Sequence, residues 1–136
     1  MSARFLVDTD VLIDSMRRDV LAAGELARLL RRGRLGVSVI TRMELIIGCR
    51  DKQALAITQQ LLNGLERVSL NEGISDIADG LISTFHLSHS LKIADAFICA
   101  TALYYALPFL TKNQRDFRFI PGLKLLPYPA APTASS

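Results

Sequence analysis

Residues 5–14 read Phe5-Leu6-Val7-Asp8-Thr9-Asp10-Val11-Leu12-Ile13-Asp14, and their reading decides the fold. Phe5 to Val7 form a continuous apolar run that stops on turn-forming polar residues. Such a run suits a strand covered on both faces, as in a parallel sheet. Open parallel sheets bind ligands beyond the carboxyl ends of their strands. Asp8 therefore stands at that edge, on the floor of any cleft there. The residues that follow, 9–16, predict a short helix capped by Asp8 or Thr9.

Outward from this stretch, strands and helices alternate. Residues 19–32 predict a second helix, with Leu26, Leu29 and Leu30 on one stripe. Its arginines lie at the C-terminal end, where the helix dipole favours them, and Gly33 ends it. Gly36 to Val39 form a second short strand, and Thr41 opens a helix through Ile47 that stops at Gly48. Residues 51–63 predict another helix, and Arg67 to Leu70 a weak strand. Ile74, Ile77, Ala78, Leu81, Ile82 and Phe85 recur at helical spacing. Ala94 to Leu107 is apolar nearly all round, a buried helix halted by Pro108. Phe109 to Thr111 give a strand, Lys112 to Phe119 a loop, and Lys124 to Leu126 a last short strand. About five strands alternating with helices indicate an α/β layer fold with a parallel sheet. Residues 1–126 form one domain, and 127–136 read as a flexible C-terminal tail.

The chain has 136 residues, half of them apolar, enough for one packed core without staples. Its apolar runs fall far short of the ~20 residues of a membrane span. The first residues carry no signal-peptide pattern, so the expectation is a soluble cytoplasmic protein that does not enter a membrane. Cys49 and Cys99 lack metal-ligand spacing and read as buried free thiols. The net charge is only +3, but Arg17, Arg18, Arg31, Arg32, Arg34, Arg42 and Arg50 crowd the first fifty residues. That asymmetry makes a polyanionic partner plausible; on charge alone an ordinary solvated helix surface is the better account.

Four carboxylates fall just after a strand or at a helix start: Asp8, Glu44, Asp95 and Asp116. These positions share one edge of a parallel sheet. Each has a local explanation. Asp8 caps a helix, Glu44 completes the capping box Thr41-x-x-Glu44, Asp95 compensates a dipole, and Asp116 serves a turn. Together they ask for more. Glu44 lies among Met43, Leu45, Ile46 and Ile47, and Asp95 among Ile93, Ala94, Ala96 and Phe97. Carboxylates in such surroundings are costly unless paired or metal-bound. Converging without basic partners, they repel one another until a divalent cation neutralises them. Hard oxygen ligands select Mg²⁺ or Mn²⁺, which can hold a phosphate oxygen and activate water. That is equipment for phosphodiester hydrolysis. His86 and His89 read as solvated side chains.

Four segments resemble the PIN-domain family and, more narrowly, the VapC toxins of bacterial toxin–antitoxin pairs. They are LVDTDVLID (6–14), ITRMELIIG (40–48), ADAFICATA (94–102) and LTKNQRDF (110–117). The resemblance implies a three-layer α/β/α fold with a five-stranded parallel sheet and a metal-dependent ribonuclease. It implies an acidic pocket of Asp8, Glu44, Asp95 and Asp116 around Mg²⁺ or Mn²⁺, with Thr111 and Asn113 supporting it by hydrogen bonds. It further implies an RNA substrate, a homodimer, and a VapB-type antitoxin through which alone promoter DNA is contacted. Arg42, Lys112 and Arg115 are the candidates for holding the RNA backbone.

Two other readings compete. Asp8-Thr9-Asp10 after an apolar strand looks like the nucleophile and acid pair of haloacid-dehalogenase-like phosphatases. That pattern expects Thr or Val where this chain has Leu12, and it leaves Glu44 and Asp95 idle. The other reading is a PIN module that binds RNA or antitoxin without catalysis.

Overall fold

The computed structural model describes residues 2–130. The chain runs β1 (Ala3–Val7), α1 (Thr9–Met16), α2 (Val20–Leu30), β2 (Arg34–Ser38), α3 (Val39–Ile47), α4 (Lys52–Asn63), β3 (Glu66–Val68), α5 (Glu72–His89), α6 (Ile93–Tyr104) and β4 (Phe109–Leu110). A 3-10 turn follows at Gln114–Asp116. The strands form one parallel sheet in the order β3-β2-β1-β4, with β1 inside it. Leu6 pairs with Phe109 and Val7 with Leu110.

Side chains alternate across the sheet, as a strand's two-residue period requires. Leu6, Val68 and Phe109 face one core with Ile74, Ala78, Ile98 and Cys99 of α5 and α6. Phe5, Val7, Leu35, Val37 and Leu110 face the other with Val11, Leu12, Leu29, Leu45 and Leu62 of α1 to α4. Helices therefore cover both faces, which gives the expected three layers. It also explains why β1 reads as a continuous apolar run rather than an alternating one. Both cysteines are free; Cys99 is buried and Cys49 partly so. No helix among the described residues is long and apolar enough to cross a membrane.

Four strands stand where about five were expected. The segment Lys124–Leu126 is reduced to a single parallel bridge between Phe109 and Leu125. Phe109 N donates to Lys124 O (2.8 Å) and Leu126 N to Phe109 O (2.9 Å), but Leu125 N turns back to Leu123 O. β4 has only two residues, so the ladder has nowhere to extend. Helix α6 also stops short of Leu107. Ala106 takes a left-handed φ of 53°, and Leu107 N closes onto Ala102 O at 2.9 Å, satisfying a terminal carbonyl.

The capping box at Thr41 does not form. α3 starts at Val39, because Ser38 at the end of β2 is already extended and its side chain accepts from Ile40 N. Thr41 lies inside the helix, fully buried. Of the expected tail, residues 127–130 lie against α2: Tyr128 packs on the core beside Leu26, and Ala130 N donates to Glu25 Oε1 at 3.1 Å. Residues 131–136 lie outside the described residues.

Candidate active site

The carboxyl edge of the sheet carries the chemistry. β1 ends at Val7, and Asp8 N still donates to Leu110 O at 2.8 Å, so β1 and β4 deliver Asp8 and Thr111 side by side. Asp8 caps α1, with Oδ1 accepting from Thr9 N at 2.8 Å, while Oδ2 accepts from the Thr111 hydroxyl at 2.8 Å. Asp8 is only 6% exposed and Thr111 not at all. Burial pushes the Asp8 carboxyl up to about 7, the charge on Asp10 adds to it, and the bonds from Thr111 and Thr9 pull the other way.

Glu44 projects from α3, and the Thr9 hydroxyl donates to its Oε1 at 2.7 Å. The Thr9 and Thr41 hydroxyls are 3.1 Å apart, so the supposed capping residue instead braces the group that holds Glu44. Asp95 sits in the first turn of α6, which Lys92 opens without a side-chain cap. Its carboxyl is raised by burial, then by the charges on Glu44 and Asp116, with Lys92 opposing. Asp116 ends the 3-10 turn, where the Asn113 amide donates to its Oδ2.

All four expected carboxylates line one cleft of about 230 Å³, and so does Asn113. A fifth carboxylate, Asp10, lines it too and had no place in the four-acid site of the sequence reading. Asp10 accepts from the backbone N–H of Asn113 (3.1 Å) and Lys112 (3.4 Å) and from the Thr111 hydroxyl (3.3 Å). It fastens the loop that carries Asn113 and Asp116 to the start of α1. Burial raises its carboxyl as well. The spacing Asp8-x-Asp10 was the available signal, and it served only the phosphatase reading. Asp10→Ala is expected to speed hydrogen exchange at Lys112 and Asn113 while leaving exchange within α5 unchanged; equal protection at both amides would contradict the fastening role.

Neither lysine nor arginine lines the cleft. Lys112 Nζ pairs with Asp14 Oδ2 at 2.9 Å. Arg42 is half-buried on α3 and Arg115 is exposed in the 3-10 turn. His86 and His89 are both exposed as expected, and His89 also stacks on Phe119 with ring centroids 3.9 Å apart.

Five carboxylates with no base among them fit a divalent cation, which would relieve their mutual repulsion and the burial of Asp8, Asp10 and Asp95. No group of three or more acidic, histidine or cysteine side chains among the described residues is preset to hold a metal. Mg²⁺ does not require one, because it keeps several waters and uses one or two carboxylates.

Thr9→Val is nearly isosteric and removes the hydroxyl that bonds Glu44 and the buried Thr41. Loss of such an outer partner costs about 10–100-fold in metal affinity or turnover. The expectation is a loss of that order in cleavage rate, with a stability loss of about 1–3 kcal/mol at most from the unpartnered Thr41 hydroxyl. A rate within twofold of the parent (about 0.4 kcal/mol) would show that Glu44 needs no such support.

Comparison with known proteins agrees with this geometry. Residues 5–123 match the PIN domain family. The chain is 31% identical over 121 residues to Ribonuclease VapC19 of Mycobacterium tuberculosis, covering 88% of this chain and 96% of that one. Among solved structures, a toxin–antitoxin complex from Klebsiella pneumoniae matches with TM-score 0.74 and 26% identity, covering 93% of this chain and 99% of that one. VapBC-1 from nontypeable Haemophilus influenzae matches with TM-score 0.76, over 92% of this chain and 98% of that one, and at 23% identity it shows the fold alone. These matches set aside the phosphatase reading, which left Glu44 and Asp95 idle. With the family matched across residues 5–123 and its acidic positions gathered in one cleft, the chain belongs to the PIN-domain family.

Proposed function

We propose that the chain is a metal-dependent endoribonuclease, the toxin of a VapBC-type toxin–antitoxin pair. The observation that carries this reading is the cleft of five carboxylates, free of bases, at the carboxyl edge of the sheet. Relatives named as VapC ribonucleases and a neighbour described as a toxin–antitoxin complex support it. Its partners are an RNA substrate, a cognate VapB-type antitoxin and a second copy of the chain, with promoter DNA reached only through the antitoxin. A cytoplasmic setting is part of this reading.

Asp8 and Asp95 are the direct ligands for Mg²⁺ or Mn²⁺ in this reading, with Glu44 and Asp116 completing the set. A bound ion supplies charge that offsets what builds on the scissile phosphate and lowers the pKa of water. The protein's own groups do the rest. Thr111 holds one oxygen of Asp8 and Thr9 N holds the other, so the carboxylate cannot rotate. Thr9 aims Glu44 into the cleft, where it aligns the attacking water and takes its proton. Asn113 sets the orientation of Asp116. Arg42, Lys112 and Arg115 steer the RNA backbone from outside the acid cleft. Attack by water in line with the leaving 3′-oxygen gives 3′-hydroxyl and 5′-phosphate ends.

The test is incubation of purified, antitoxin-free protein with end-labelled RNA in Mg²⁺, Mn²⁺ or EDTA, beside Asp95→Asn. Cutting that needs metal and vanishes in the variant is the expected result. Full activity in Asp95→Asn would overturn the site, and RNA binding with no cutting under any metal would favour the non-catalytic module.

A further inference from the structure

A second cleft, of about 260 Å³, adjoins the acidic one and shares Asp95 and Asp116 with it. Its remaining wall is His89, Ser90, Leu91 and Lys92, the corner between α5 and α6. Ser90 ends α5 in a left-handed conformation at φ 55°, and Lys92 opens α6. That sharp corner brings an aromatic ring and an ammonium group to one wall, beside two of the carboxylates.

The His89 ring is held from several sides. One face stacks on Phe119, with centroids 3.9 Å apart and planes 15° from parallel. The His89 ring meets the Phe85 ring in a T-shaped arrangement with centroids 5.7 Å apart, and Nδ1 lies 2.8 Å from the Ser88 hydroxyl. The residue is nonetheless exposed. A ring fixed on one face and open to solvent is a stacking platform already ordered before any ligand arrives, so little entropy is lost when one binds. Lys92 is exposed and makes no ion pair among the described residues. It lies beside Asp95 and Asp116, where a polyanion approaching the acidic cleft meets a cation. A base on an aromatic ring with a cation on the backbone is how single-stranded nucleic acid is held without sequence readout.

We propose that the α5–α6 corner is a nucleotide subsite, where an RNA base stacks on His89 and its phosphate pairs with Lys92, delivering the neighbouring phosphodiester to the carboxylates. The subsite rests on the ribonuclease reading of the adjoining cleft. It requires an unpaired base, so the chain favours loops and single strands over duplex at this position. Stacking needs only a π-face, so the subsite accepts any base and holds purines best.

The experiment uses the full chain carrying Asp8→Asn, so that nothing is cut, in Mg²⁺. It is titrated with single-stranded oligoribonucleotides bearing a fluorescent adenine analogue that is quenched when stacked, moved one position at a time. Quenching at one or two adjacent positions is expected, kept in His89→Phe and lost in His89→Leu, with binding weakened about tenfold in the latter. Leucine still covers Phe119 but offers no π-face, so a merely structural histidine would leave binding and quenching unchanged, and that result overturns the subsite. Lys92→Gln is expected to lower the slope of log affinity against log salt by about 0.7, the share of one phosphate on a single strand. An unchanged slope removes Lys92 from the proposal and overturns it as stated. Should the parent bind no RNA and the wild-type chain cut none, both the subsite and the ribonuclease reading fail. Normal cutting by wild type with unaltered binding in His89→Leu sinks the subsite alone.

Discussion

Asp8→Asn is expected to abolish RNA cleavage and, in the same protein, to stabilise the metal-free fold at neutral and higher pH. The two effects have one cause. Asp8 is nearly sealed from water, beside Asp10 and Asp95, and its carboxyl titrates at about 7 rather than 3.8. Between those values the folded chain holds a proton that the unfolded chain has released. Stability therefore falls as pH rises from about 4 through about 7, and stays low above it. The full shift corresponds to at most roughly 4 kcal/mol, an upper bound because neighbouring acids share the proton. Asparagine occupies the same volume and carries no charge. Its oxygen keeps the bond from Thr9 N, and its amide donates to a rotated Thr111 hydroxyl. Thermal melts in EDTA should show the parent losing several degrees between about pH 5 and about pH 8, and the variant losing much less. Loss of a group that merely supports a metal ligand costs about 10–100-fold, so on the proposed role of Asp8 as a direct ligand its removal should exceed about 100-fold. Addition of Mg²⁺ should raise the parent's melting temperature and leave the variant's nearly unmoved. A pH-independent parent in EDTA would mean that Asp8 is not desolvated as the structure has it.

Phe109→Ala is the substitution expected to cost the fold most. Phe109 is fully buried in β4, pairs with Leu6, and meets the Phe117 ring edge-on at 5.2 Å. A Phe-to-Ala cavity costs about 3–5 kcal/mol, against a total stability of about 5–15 kcal/mol. Phe117 lines the acid cleft, so the cavity also loosens the turn that bears Asp116. Urea unfolding should show a much lower midpoint at an unchanged slope, with Phe109→Leu losing less. A cost below about 1 kcal/mol would mean that the site collapses freely around the missing ring.

The layers and the four acidic positions were legible because each depended on local signals. Phe5 to Val7 are apolar since both faces of β1 are covered; Asp8 follows that strand, Asp95 sits in a first helical turn, Glu44 lies on the helix after β2, and Asp116 in the loop after β4. What escaped was decided by partners far away in the chain. Asp10 was read only within the phosphatase-like Asp8-Thr9-Asp10 pair, and its partners are Thr111, Lys112 and Asn113, about a hundred residues on. The Thr41-x-x-Glu44 pattern fits a cap, but the preceding strand ends on Ser38, which caps the helix first. Lys124 to Leu126 have the composition of a strand, yet a two-residue β4 gives them only one bridge. The helix ending near Leu107 turned early at Ala106, where nothing in the residue type announces a left-handed φ.

The inner position of β1 bears on synthesis. β1 is the first strand made, yet its neighbour β4 and the Thr111 hydroxyl that holds Asp8 are separated from it by about a hundred residues. On the ribosome, β1, β2 and β3 can pair early, while the flank that takes β4 stays open. A nascent chain released before Thr111 has half a cleft, with Asp8 untethered and neither Asn113 nor Asp116 yet made. The last strand to arrive is thus the one that closes the acidic cleft, and a chain cut short by faltering translation carries no finished nuclease site.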